Sequence, residues 1–405
     1  MKIRSITYFM NVGWPLSEAK LQTAGTFLKA ARAAFEEAGY EVQTTRIASY
    51  SFANILGPDA ISLAPRMSQK LSAALQANGI DYATLGPAVR EIPESYEMIP
   101  DALAASKNIF FSGEMATAEQ GISLPAIRSC AEVIIRNSTV MPDGFANLRF
   151  AAIANVPPGG PFFPSAYHDS DKPTFALAME CADLAVEAFE GAASIEEGRK
   201  ALTAAFESHG RRLAAAAEPL KYRFSIRFGG IDFSLAPFPK EAQSLGAAME
   251  RIGAPKVGLH GSLAAAAILT ESIDRADFLR AGFCGFMGPV LEDEILSKRA
   301  AQRTLTIKDM LMYAAVCGTG LDTIPLPGDV TLDQLSALLL DISVLAMRLN
   351  KPLTARLMPI PGKKAGDMTE FNFDYFANSR VMALEAEKVG RLFGSDEVFT
   401  MSARK

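Results

Sequence analysis

The sequence predicts one α/β domain over residues 1–405, with about ten strands closed into a barrel. Three observations carry this. Strand-like and helix-like stretches alternate along most of the chain. No linker or break in composition divides it into halves. Its 405 residues, 49% of them hydrophobic, suffice for one large core. An ordinary eight-stranded barrel of this length would need large insertions and is the alternative.

Residues 2–10 alternate and are rich in β-formers until Asn11-Val12-Gly13-Trp14-Pro15 stops them; Ser17 and Glu18 then open a helix that ends near Gly39. A strand over 41–48, a helix over 59–78, a strand over 82–85 and a helix near Ala102 continue the alternation. Residues 108–114 read as a strand and 125–137 as a helix. The strand 148–155 runs into the Pro/Gly-rich loop 156–169, whose two Phe, Tyr and His suit a stiff, shaped wall. A helix is expected over 174–190, then an Ala-rich helical hairpin near 194–218 as an outer layer.

Residues 223–227 and 231–237 read as two short strands bent at Gly229-Gly230, and helices are expected at 241–252 and 262–280. The run 282–290 is too Gly-rich for an ordinary strand. Helices over 292–302 and 306–317 lead to the stretch 318–329, too rich in Pro and Gly to be a central strand along its whole length. It carries Asp322 and Asp329 at a corner of the kind where α/β proteins place chemistry. Thr331 and Gln334 match a capping box for a buried helix over 332–350, and the last strand spans 353–358.

A net charge of −5 with dispersed Lys and Arg gives no footprint for nucleic acid. No apolar run is long enough to span a bilayer and no signal segment opens the chain, so a cytoplasmic protein with no membrane partner is expected. Cys130, Cys181, Cys284 and Cys317 are far apart and read as buried thiols. The only histidines are His168, His209 and His260, without zinc spacing. Phosphate-loop, dinucleotide-loop and nucleophile-elbow motifs are absent, so no nucleotide cofactor is expected.

Candidate site residues cluster at Gly/Pro corners. Asp232, Asp322 and Glu292 could hold a hard cation, Mg²⁺ or Ca²⁺, or Asp232 and Asp322 could act as an acid/base pair. Helix capping is the plainer role for Asp293 and Asp329. Arg356, central in the last strand, needs a neighbouring carboxylate or an anionic substrate. Lys363 lies on a Gly-bounded loop that could grip an anion. His168 is the candidate proton carrier, and Asn155, Tyr167 and Ser234 join Arg356 and Lys363 as substrate-binding candidates.

From about Phe145 to Val381, the motifs Asn155 to His168, Gly230-Ile231-Asp232-Phe233-Ser234-Leu235-Ala236-Pro237, Gly282 to Asp293, Gly320-Leu321-Asp322 with Pro327-Gly328-Asp329, and Arg356 through Pro361-Gly362-Lys363 to Asp367 resemble the DUF711 (UPF0210) family. Arg4-Ser5-Ile6-Thr7 resembles its opening. The resemblance implies a ten-stranded α/β barrel similar to pyruvate formate-lyase and ribonucleotide reductase, and no agreed activity. Those barrels work through glycyl and thiyl radicals. Cys284 sits in a Gly-rich loop as a finger-loop cysteine would, but Ser379-Arg380-Val381-Met382-Ala383-Leu384 has no glycine for the radical.

Two functions follow as expectations. One is an enzyme acting on a small anionic metabolite by carboxylate acid/base or divalent-metal-assisted chemistry, of lyase, isomerase or hydrolase type. The other is a non-catalytic small-molecule sensor or scaffold on a degenerate radical-enzyme barrel. Apolar helical faces point to a homo-oligomer in either case.

Overall fold

The computed structural model describes residues 1–316 and 319–404; Cys317 and Gly318 lie outside the described residues. Among those described, eleven strands form one sheet: β1 (Lys2–Phe9), β2 (Val42–Ala48), β3 (Tyr82–Ala88), β4 (Ile109–Thr117), β5 (Gly121–Ser123), β6 (Phe150–Ala154), β7 (Thr174–Glu180), β8 (Arg227–Ala236), β9 (Gly320–Pro327), β10 (Leu353–Ile360) and β11 (Val398–Phe399). Nine follow the order β8-β7-β1-β2-β3-β4-β6-β10-β9, and β5 and β11 form a side ribbon off β4.

Strands β1, β2, β3, β4 and β6 run parallel. The pair β7–β8 joins β1 antiparallel, and the pair β9–β10 joins β6 antiparallel. These two reversals rule out the eight-stranded alternative, whose strands are all parallel. Two isolated parallel bridges, Ile231 with Arg280 and Pro289 with Asp322, tie residues 280–289 to β8 and to β9.

The helices form where capping and patterning agree. Ser17 accepts from Lys20 N to start Glu18–Glu37, and the Thr331/Gln334 capping box starts Leu332–Leu349. Leu21, Leu28 and Phe35 of the first of these helices are buried, as an i, i+7 stripe requires.

Three expectations are corrected. Thr174–Glu180 is a strand, because it lies between β1 and β8 with almost every residue buried; a fully buried strand shows no alternation and reads like a helix. The hairpin near 194–218 is one helix, Ile195–Phe224. Its Gly198 and Gly210 are not breaks: a Cβ at either would collide with Phe189 or Phe278, so these glycines permit close packing. Of the two short strands expected after Lys221, the first begins as the end of the helix Ile195–Phe224, with only Arg227 in a strand, and the second belongs to β8, which accommodates Gly230 at φ 122°. In keeping with its composition, the corner 320–327 is not a central strand but the end strand of the sheet path, its prolines tolerated because the continuous ladder runs on one side only, against β10.

The aromatic run near 371–376 forms a satellite core. Phe371 and Phe376 pack with Leu148, Met358 and Ile360, and Phe145 and Phe373 close around them.

Candidate functional site

A cavity of about 570 Å³ opens where β1 to β4 begin and β8 ends. Arg4 from β1, Arg46 from β2, Tyr82 from β3 and Phe110 from β4 line it. Asp232, Ser234 and Ala236 reach it from β8 with the period of two that places alternate residues on one face. Arg356 enters from the middle of β10. The stiff loop 156–169 is indeed a wall, contributing Pro161, Phe162 and Phe163.

At its polar end lies a buried chain of charges. Arg356 Nε donates to Asp322 Oδ1 at 2.5 Å, and its Nη2 donates to Asp322 Oδ2 at 2.9 Å and to Glu292 Oε1 at 2.8 Å. Arg4 Nη2 donates to Glu292 Oε2. Arg356, Asp322 and Glu292 are all buried. Burial alone would raise the Glu292 carboxyl, but the Arg4 and Arg356 guanidiniums outweigh it and hold it below the usual carboxylate range. Burial pushes the Asp322 carboxyl up against the pull of Arg356. The partner expected for Arg356 is therefore internal, as an ion pair.

Two further cations were not anticipated from sequence. Arg46 Nε donates to Thr44 Oγ1 at 2.9 Å, and its guanidinium lies 4.9 Å from the Phe163 ring centroid and 5.7 Å from that of Tyr82. Among the described residues it has no carboxylate partner, and burial, with repulsion from Arg4 and Arg356, lowers its pKa to about 9. Arg149 is buried and, among the described residues, donates only to the carbonyls of Leu103, Ser106 and Ile109; burial lowers its pKa to about 10. Arg4 Nη1 is also buried without a hydrogen-bond partner among the described residues.

Asp232 serves the loop that crosses beside it. It accepts from Ser234 N at 2.8 Å, Ser234 Oγ at 2.6 Å, Phe283 N at 3.1 Å and Cys284 N at 3.0 Å. Residue 282 must be glycine, since a Cβ there would lie 2.2 Å from Asp232 Oδ2 and the backbone has φ 66°. The Cys284 thiol donates to the carbonyls of Ile231 and Ala281, and burial pushes its pKa well up. It is held as a thiol rather than a reactive thiolate.

The remaining candidates do not line this cavity. His168 is buried against Phe9 and Tyr50, with Nε2 unpartnered among the described residues, and burial lowers its pKa. Tyr167 donates to Val156 O, Asn155 Nδ2 to Asn350 Oδ1, and Lys363 Nζ pairs with Glu370 at 2.8 Å. Asp293 caps the helix Glu294–Ala301 through the N–H groups of Ile295 and Leu296, and also accepts from Ser244 Oγ and from Leu245 N at the start of Leu245–Ile252.

Among the described residues no group of three or more His, Cys, Asp or Glu side chains is placed to hold a metal. Every carboxylate oxygen of Asp232, Asp322 and Glu292 already accepts from an N–H or O–H donor, so a cation there would have to displace guanidiniums or backbone amides. The arrangement suits an incoming anion better than a cation.

Comparison with known proteins finds UPF0210 relatives. A UPF0210 protein of Pyrobaculum arsenaticum is 31% identical over 313 residues, covering 73% of this chain and 66% of its own length. One of Pyrobaculum aerophilum is 30% identical over 304 residues with the same coverage, so the chain spans just under two thirds of these two relatives. One of Pyrobaculum islandicum is 28% identical over 424 residues, covering 96% of this chain and 91% of the relative. The DUF711 family, described as "Uncharacterised ACR", matches residues 1–377, taking in Arg4, Arg46, Glu292, Asp322 and Arg356 alike; the chain belongs to that family.

Proposed function

We propose that this protein is a cytoplasmic enzyme that binds a small anionic metabolite in the central cavity and acts on it by carboxylate acid/base chemistry. The observation that carries the reading is the guanidinium of Arg46 in that cavity, which, like that of Arg149, has no carboxylate partner among the described residues. A desolvated cation without a counter-charge costs stability in the empty protein, and an anionic ligand supplies what is missing.

Glu292 is the acid/base group in this reading, since it lines the same cavity. Its Oε2 is held by Arg4; an anion that draws on Arg4 weakens that hold and raises the basicity of Glu292 when substrate is present. Asp322 fixes Arg356, and Asp232 fixes the 282–285 loop. Acid/base chemistry is better supported than metal assistance because the carboxylate oxygens face donors. Lyase, isomerase or hydrolase reactions all use such a group.

Closure of the sheet through residues 280–289 into a ten-stranded barrel of the pyruvate formate-lyase type belongs to the same proposal. It is supported by the bridges to β8 and β9 and by the opposed sets of parallel strands. A homo-oligomer fits the exposure of Tyr222, Leu279 and Leu392.

The saturation of the Glu292 and Asp322 oxygens also favours a second reading, a non-catalytic sensor. Native mass spectrometry of the purified protein, followed by incubation with any anion it retains, separates the two. An anion converted by the wild type and bound but unconverted by Glu292→Gln supports the enzyme. An anion returned unchanged by the wild type supports the sensor, and binding unaffected by Arg46→Met overturns both.

A further inference from the structure

Resting on the anion reading above, we propose that the ligand is an organic anion with a flat aromatic body, carried edge-on by Arg46 with its ring among Tyr82, Phe110 and Phe163. Three observations lead there.

The first is size. A cavity of about 570 Å³ falls within the range of about 300–1,000 Å³ that encloses drug-sized ligands. A two- or three-carbon acid would leave most of it filled with water against apolar walls.

The second is the nature of those walls. Tyr82, Phe110, Phe145, Phe163, Phe373 and Tyr375 all line the cavity. Tyr82 and Phe110 meet edge to face at 5.5 Å, and Phe110 and Phe163 do so at 5.4 Å. Rings in that arrangement offer both faces and edges to a further ring. Met179 and Met287, also in the lining, are polarizable and adapt to an aromatic outline.

The third is the orientation of Arg46. Its guanidinium lies over Phe163 and Tyr82 and its Nε is spent on Thr44, so the two terminal nitrogens remain as a planar, preorganised fork. A carboxylate that meets this fork in plane projects its body alongside the same rings. Arg149 and the rim residue Lys107, which form no ion pair among the described residues, add positive field without competing for that geometry.

The test is calorimetric titration of the full chain with 2-naphthoate, decanoate, acetate and inorganic phosphate, repeated on Arg46→Met, Arg46→Lys and Phe163→Leu, each checked for a cooperative melt. The expected result is 2-naphthoate binding at least tenfold tighter than acetate, phosphate or decanoate, a loss of tenfold or more in Arg46→Met, and a weaker hold on naphthoate but not on acetate in Phe163→Leu. Arg46→Lys, which keeps a charge but loses the fork, is expected to fall between wild type and Arg46→Met. If acetate or phosphate binds as tightly as naphthoate and depends on Arg46, the aromatic inference falls and the anion reading survives. If decanoate binds tightest, the aromatic body is wrong. If no anion binds the wild type, both fall.

Discussion

Replacing Arg46 by methionine should make the empty protein more stable, the reverse of the usual outcome for a substitution in a lined cavity. The depression of its pKa to about 9 by burial and by Arg4 and Arg356 corresponds, from the ordinary guanidinium value, to about 5 kcal/mol carried by the charged form at neutral pH. That is an upper bound. The charge over the Phe163 and Tyr82 rings returns about 1–2 kcal/mol, which methionine forfeits while keeping most of the apolar stem. A net gain of at most about 3–4 kcal/mol remains. Spread over the unfolding entropy of a 405-residue chain, it raises Tm by at most roughly 4–5 °C. Because the folded pKa is depressed for a cation, the penalty is fully present below about pH 9 and fades above it, so the gain should be undiminished at pH 7. Differential scanning calorimetry at pH 7 and low salt reads this directly. A fall in Tm of two degrees or more in a cooperatively folding Arg46→Met protein would refute the claim that Arg46 is an unneutralised cation awaiting a ligand.

The ion-pair chain should behave in the opposite sense. Arg356→Met leaves Asp322 without its guanidinium and Glu292 with only one, and should cost about 3–5 kcal/mol in urea denaturation, whereas Arg356→Met with Asp322→Leu should recover most of that. Asp293→Ala removes the acceptor at the start of two helices at once and should cost about 2–4 kcal/mol by the same assay, with both helix starts losing hydrogen-exchange protection. Burial, aided by Glu91, raises the Glu114 carboxyl to about pH 7. A raised carboxyl favours the folded state most when protonated, so its contribution is complete below about pH 4.5 and is lost as pH rises through 7; Glu114→Gln should therefore stabilise the protein by about 1–3 kcal/mol at pH 8 and by almost nothing at pH 4.5, as read from melts across that range.

The elements that were legible in sequence are those with local signals. Ser17, the Thr331/Gln334 box and the Asp293 cap announce helix starts because a side chain must satisfy amides within three residues of itself. The strand at Thr174–Glu180 was hidden because both its faces are covered, and a helical reading of its Ala, Leu and Met residues costs nothing locally. Asp322 and Arg356 could be singled out one by one as expensive residues on buried strands, but their pairing across 34 positions is a property of the β9–β10 register, which only the fold fixes. Neither Arg4 nor Arg46 carries a local motif that marks it as a site residue. The missed signal lies in the order of elements. In a chain that alternates strands and helices, the helices take one face of each parallel strand, so the polar alternates on β1 and β2 must face the interior rather than water. A charge written there is desolvated by the topology before any side chain is placed. Where two such strands are neighbours and each carries an arginine, as β1 and β2 do, the interior acquires positive charge that only carboxylates from distant strands or an incoming anion can balance. Glu292 balances Arg4. Arg46, with no such partner among the described residues, is the residue through which the topology of this fold makes a demand on a ligand.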